Sequence, residues 1–122
     1  IFSARFSGSG ATDASNREKL ARKLRALNLD SSSAHYTAAI ALKCDLGEFC
    51  THGFMYGRAI CEERGHNGFG YDFMFIPRGF DRTIGELPAE VKFEISHRTK
   101  GLALMRILLK NLEKQMRLAK FH

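Results

Sequence analysis

Three stretches of this chain hold residues whose types and spacing suit chemistry. The first is "GHNGFGYDFMF", Gly65 to Phe75, where three glycines surround Phe69 and the acid Asp72 follows before the chain turns apolar. Glycine permits backbone geometry closed to other residues and lets a ligand come close. One reading is a tight connection into a strand with Phe69 in the core. The other presents the Phe69 ring to a flat ligand such as a purine, with Asp72 accepting hydrogen bonds from base N–H groups. The pattern is neither a P-loop nor a dinucleotide fingerprint. The second stretch, "VKFEISHRTKG", gathers Lys92, His97, Arg98 and Lys100 about the expected start of a long helix. That end of a helix is positive and prefers acids. Cations there, added to free backbone N–H groups, make a place for an anionic or acceptor-rich ligand. Alternatively Ser96 caps the helix, Lys92 lies on a solvated face and His97 is a satisfied, partly buried histidine. The third stretch, "FSARFSGSGATD", offers Arg5 and Asp13 in a small polar loop, with Asp13 expected as a helix-entry residue.

Other catalytic sets do not form. There is no Ser-His-Asp arrangement and no close-spaced carboxylate pair, since Glu62 and Glu63 would face opposite ways on a strand. Cys44, Cys50 and Cys61 make no CxxC pair and are expected as buried, free thiols. Cys50, His52, Cys61 and His66 could meet across a hairpin as zinc ligands, but their spacing matches no standard zinc framework.

Elements must hold these residues in place. "GSGATDASNREKLARKLRAL" reads as a loop and a helix, with a capping box from Ser15 to Glu18 and apolar recurrence at Leu20, Leu24 and Leu27. "NLDSSS" reads as the exit loop. "AHYTAAIALKCD" alternates, with Tyr36, Ala38, Ile40, Leu42 and Cys44 on one strand face. A turn around Gly47 leads into a second strand, "FCTHGFMYGRAICEE", weakened and bent at Gly53 and Gly57. "YDFMFIP" predicts a short central strand ended by Pro77. A turn and a short helix follow, with Pro88 at the first helical position. A long amphipathic helix runs roughly from Ser96 to Lys120, with Leu102, Met105, Leu109, Leu112 and Met116 as its buried stripe. The fold class is therefore mixed α/β: a twisted, largely antiparallel sheet with flanking helices and a long C-terminal helix.

At 122 residues the chain fits one domain, 1–122, and 44% hydrophobic residues suffice for a core. No apolar run approaches a membrane span, no secretory signal opens the chain, and an odd cysteine count fits a reducing, cytoplasmic setting. The net charge of +6 favours anionic partners without choosing among them. One alternative is a basic nucleic-acid-binding module using the Lys and Arg of the last helix and the interspersed Phe residues. It lacks any RNP-type, KH or finger pattern.

Taken in order, "FSARFSG…ATD…N…KL", "GFGYD" and "TIGELPAEVKFEISHR" resemble segments of the inosine triphosphate pyrophosphatase family, over about Ile1 to Leu109. The resemblance implies an enzyme that hydrolyses inosine, deoxyinosine and xanthosine triphosphates to monophosphate and pyrophosphate with Mg²⁺ as cofactor. It implies substrate-binding roles for Phe69, Gly70, Tyr71, Asp72, Lys92, Ser96, His97 and Arg98. Phe69 would stack on the purine, and Asp72 would bind within the same loop. Lys92 would contact the nucleotide. His97 and Arg98 would read the 6-oxo group, with Ser96 setting the turn. A homodimer is implied as well. The family's T-x-N-x-x-K and D-D-S-G segments, which grip phosphate and supply the general base and metal ligands, precede the S-A-R segment and have no counterpart here. The chain thus resembles the family's C-terminal part, with no catalytic or metal-binding residue of its own. It is expected to have little or no activity alone. Phe73 stands where the family usually has proline.

Overall fold

The computed structural model describes residues 3–119; Ile1, Phe2 and the expected helix end at Lys120 lie outside the described residues. Helix α1 (Asp13–Ala26) is followed by strands β1 (Ser31–Cys44), β2 (Gly47–Ile60) and β3 (Phe75–Pro77), then helices α2 (Ala89–Ile95) and α3 (His97–Ala119). The fold is mixed α/β. The sheet runs β1-β2-β3, and β2 meets β3 antiparallel with Arg58 opposite Ile76 and Gly57 opposite Pro77. A two-residue turn joins β1 to β2, which makes that pair a hairpin.

The chain divides into two compact units. The first holds the chain up to His35 together with Tyr56–Lys92, and its core is built from Leu24, Met74, Phe75, Ile76, Ile84 and Leu87. The second holds Tyr36–Met55 and the chain from Phe93 onward, with Met55, Met105 and Leu112 buried.

Several expectations change. Helix α1 begins one turn early. Thr12, extended at φ −113° and ψ 165°, is its cap, and the reciprocal pair is Thr12 with Ser15 rather than Ser15 with Glu18. The Ser15 N–H donates to Thr12 Oγ1 at 3.0 Å and the Thr12 N–H to Ser15 Oγ at 2.8 Å. Asp13 is then the first helical residue, where an acid suits the positive helix end. The strand β1 takes in Ser31 to Ser33, which were expected in the exit loop. Along it Tyr36, Ala38, Ile40 and Leu42 are half-buried in alternation, as the sequence pattern expects, while Cys44 is exposed beside the hairpin turn. Cys50 is exposed too and Cys61 half-buried, so the thiols are free but not core residues.

"YDFMFIP" does not form a central strand. Only Phe75–Pro77 is extended, at the edge of the described sheet; Asp72–Met74 is a 3-10 turn, closed by the Met74 N–H on the Tyr71 carbonyl at 2.9 Å. Burial on both parities comes from helical turn and core contact rather than from strands on either side. Pro88 precedes α2 instead of opening it. The buried stripe of α3 also moves. Gly101, Met105 and Leu112 are buried, whereas Leu102, Leu109 and Met116 are 55%, 45% and 51% exposed. The cause is Gly101. Without a side chain it lets the helix backbone approach Ile40 and the Gly53 N–H, which turns the contact line toward residue 101.

The strand β2 runs through Gly53 and Gly57 unbroken. A Cβ at Gly53 would collide with the His97 carbonyl oxygen and with the Gly101 nitrogen, so this glycine marks a close backbone approach to α3.

Candidate functional site

In the first unit, Asp72 organises the glycine-rich loop. Its carboxylate is 7% exposed by residue. Oδ2 accepts from Lys92 Nζ at 2.8 Å and from the Phe69 N–H at 3.1 Å. The second contact is an acid side chain bonding backbone three residues before it, which curls Phe69 to Asp72 into a tight turn together with the Asp72 N–H on the Phe69 carbonyl at 3.1 Å. Gly68, at φ +104°, makes room for this: a Cβ there would collide with Asp72 Oδ2 and press on Lys92 Nζ.

The turn pushes Phe69 outward. Its ring is 61% exposed, so it is no core residue. The Lys92 ammonium lies 5.2 Å from the ring centroid, within cation–π range. Lys92 therefore bridges the buried carboxylate and the exposed aromatic ring. It sits in the last turn of α2, not at the start of α3 as the sequence suggested, because the chain breaks at Ser96 between the two helices.

The loop is fastened to α1. Asp13 Oδ2 accepts from the Gly70 N–H at 3.3 Å, and Arg17 donates to the Gly70 carbonyl at 2.9 Å. Arg17 also lies 4.9 Å over the Phe73 ring and pairs with Glu63. The Tyr71 hydroxyl donates to the Ser3 carbonyl at 2.6 Å. Burial, and then the Asp13 carboxylate, push the Tyr71 phenol above its ordinary 10. Arg17 belongs to none of the three stretches that suit chemistry. Its signal was the four-residue spacing from Asp13, which puts both on one helix face.

In the second unit, Ser96, His97 and Arg98 come together at the start of α3. Ser96 Oγ accepts from the Arg98 N–H at 3.2 Å and its carbonyl accepts from the Lys100 N–H at 3.0 Å, so Ser96 caps the helix. His97 stacks on Tyr36, with centroids 5.0 Å apart and planes 18° from parallel. Lys100 is engaged with the Phe54 carbonyl at 3.0 Å, which offsets its poor placement at a positive helix end. Arg98 is exposed.

Among the described residues no three His, Cys, Asp or Glu side chains are placed to hold a metal ion. Cys50 and His52 approach to 3.8 Å, but Cys61 Sγ is turned to the Leu29 carbonyl at 3.1 Å, so the conceivable zinc set is not assembled. Asp72 is also a poor magnesium ligand as it stands, because Lys92 already neutralises the same carboxylate. Among the described residues, those around Asp72 do not fit a magnesium centre.

Comparison with known proteins bears on this arrangement. The model of the Ham1 family matches residues 1–108. The chain is 60% identical over 114 residues to a dITP/XTP pyrophosphatase of Campylobacter fetus, covering 93% of this chain and 56% of that protein. It is 55% identical over 112 residues to a dITP/XTP pyrophosphatase of Nautilia profundicola, covering 92% and 57%. Among solved structures, a HAM1 protein from Coxiella burnetii superposes with a TM-score of 0.81 at 36% identity, covering 90% of this chain and 57% of that one. The chain thus spans about half the length of the curated relatives it matches.

Proposed function

The chain belongs to the Ham1 family, and from that premise we propose that it supplies the purine-recognition part of a nucleoside-triphosphate pyrophosphatase. The proposed substrates are inosine, deoxyinosine and xanthosine triphosphates, the products monophosphate and pyrophosphate. The observation that carries this reading is the exposed Phe69 ring set beside the Asp72–Lys92 ion pair. A π-face offered to solvent next to a fixed cation and carboxylate suits a flat heterocycle with polar edges. The names of the relatives from Campylobacter and Nautilia support the same substrate class.

Each residue then has a role. Phe69 stacks on the base, Gly70 holds that turn to α1, and Tyr71 ties it to the Ser3 carbonyl. Asp72 fixes the loop and orients Lys92 toward the nucleotide. On the resemblance of the "SHR" stretch, His97 and Arg98 donate to the 6-oxo group and Ser96 sets their turn. A site built to donate there leaves its donors unpaired against the amino group of adenine, which is how it would discriminate. Mg²⁺, which neutralises charge on the phosphates in such reactions, would be held by carboxylates from outside the described residues. We also propose a homodimer, and we expect the chain to release little pyrophosphate alone.

The test is pyrophosphate release from inosine triphosphate with Mg²⁺. The isolated chain is compared with a chimaera carrying the remaining length of the Campylobacter fetus relative. The expected result is turnover by the chimaera, strongly favouring inosine triphosphate over ATP, and its loss with Phe69→Ala. An inactive but folded chimaera would reject the enzyme reading. Turnover by the isolated chain would reject the division of labour.

A further inference from the structure

We propose that a concavity on the face formed by β2 and the end of β3, in the first unit, binds a small phosphoryl anion of the inorganic pyrophosphate class through the guanidinium groups of Arg58 and Arg78. The hollow is shallow and open to solvent, with a volume of about 300 Å³, and Ser33, Arg58, Arg78 and Phe80 are among its lining residues. That volume lies at the small end of ligand pockets, which run from about 300 to 1,000 Å³. It shares no residue with the group around Phe69, and it does not rest on the function proposed above.

Strand register brings the two cations together. Arg58 faces Ile76, and the Arg78 N–H donates to the Tyr56 carbonyl at 2.9 Å, so Arg78 continues the pairing opposite Tyr56. Tyr56 and Arg58 point to the same side of β2, two residues apart. Arg78 joins them there, its guanidinium 5.1 Å from the Tyr56 ring centroid. Arg58 and Arg78 are thus diagonal neighbours across the strand pair, a relation that spans roughly 7–8 Å. That spacing is between backbone positions; the two like charges they carry on one face repel, and an anion held between them would relieve the repulsion.

No acid fills that role. The lining contains no Asp or Glu, and among the described residues neither Arg58 nor Arg78 has an ion-pair partner. Elsewhere in the same unit Arg17 pairs with Glu63, Arg64 with Glu86 and Lys92 with Asp72. Arg78 is also held in advance. It lies on Tyr56, which in turn meets the His35 ring at 5.4 Å between centroids. A held guanidinium presents its donors as a planar fork, which matches two oxygens of one phosphoryl group. The hydroxyl of Ser33 adds a neutral donor on the same lining.

The experiment titrates the ¹⁵N-labelled chain with sodium pyrophosphate at constant ionic strength and reads amide shifts alongside calorimetry. The expected result is saturable one-to-one binding, with shifts concentrated at Ser33, Arg58, Arg78 and Gly79. The double variant Arg58→Gln/Arg78→Gln should bind about tenfold more weakly or worse, as two charge-assisted contacts are lost. Both side chains are exposed, so the variant should melt with the parent. The control Arg22→Gln/Arg25→Gln removes the same net charge from an exposed part of α1 and should leave affinity unchanged. Absence of saturable shifts at those amides would overturn the proposal. So would equal affinity in the parent and the Arg58/Arg78 variant, or an equal loss in the control.

Discussion

The Asp72 carboxylate shares one oxygen between the Lys92 ammonium and the Phe69 N–H. Lys92→Met would remove the Lys92 ammonium from that buried acid. A pair with one partner 32% exposed by side chain is worth less than a fully buried one, so the expected loss is about 1–3 kcal/mol, read as a lower urea midpoint. Asp72→Asn keeps an acceptor for Phe69 and should cost less; a larger loss than Lys92→Met would contradict this ordering. Tyr71 gives a prediction in pH. Its phenol is raised above its ordinary value, so the folded state holds the proton more tightly than the unfolded chain. The stability it contributes is intact below the unfolded value near 10 and is lost as pH rises from there through the folded value. Denaturation measured between pH 9 and 11 should show a steeper fall for the parent than for Tyr71→Phe, and parallel curves would refute the assignment. At this scale the Phe69–Asp72 turn stands out in the sequence, because glycines around one ring and an acid close by are unusual; its contact with Lys92, which the sequence groups with the start of the long helix, does not. Nor does Arg17, because its partners Gly70 and Glu63 lie 53 and 46 residues away in sequence.

Among the elements, the hairpin and the three helices follow from patterning that the chain shows openly. Alternation along β1 and helical spacing along α1 and α3 are local, and local patterns survive folding. The missed features depend on partners distant in sequence. The turn Asp72–Met74 looks strand-like by composition, yet the Asp72 side chain bends it. The buried stripe of α3 departs from its sequence pattern, in which Leu102, Met105, Leu109, Leu112 and Met116 make a regular apolar repeat. Burial instead follows Gly101, whose lack of a side chain matters only once Gly53 lies opposite. Gly53→Ala should therefore destabilise by about 1–3 kcal/mol, since the obstructing atoms are backbone and cannot rotate away. A thermal midpoint equal to the parent's would show that the seam can open freely.

For the whole molecule, the mixed α/β class was readable from the order of helix, strands and helices and the family from three motifs in order, and the match over residues 1–108 agrees with the latter. The division into two compact units was not readable, because β1 and β2 each run through both and no linker composition marks a boundary. The charge of +6 should favour triphosphates over uncharged nucleosides at low salt. Inosine triphosphate should therefore bind the isolated chain several-fold more weakly in 300 mM than in 50 mM salt, measured by calorimetry, with inosine itself unaffected. Equal salt dependence for the two would remove electrostatics from the account.

The seam between Gly53 and Gly101 has a consequence for how this sequence can vary. Side-chain packing can drift, because one bulky residue compensates for another. A contact made of bare main chain has nothing to trade. The start of α3, with Ser96, His97 and Arg98, is thus referenced to the strand beneath it at a point with no adjustable parts. A library randomised at the exposed α3 positions 102, 106, 109, 110 and 116 should keep that reference point, whereas one randomised at 53 should recover little besides glycine.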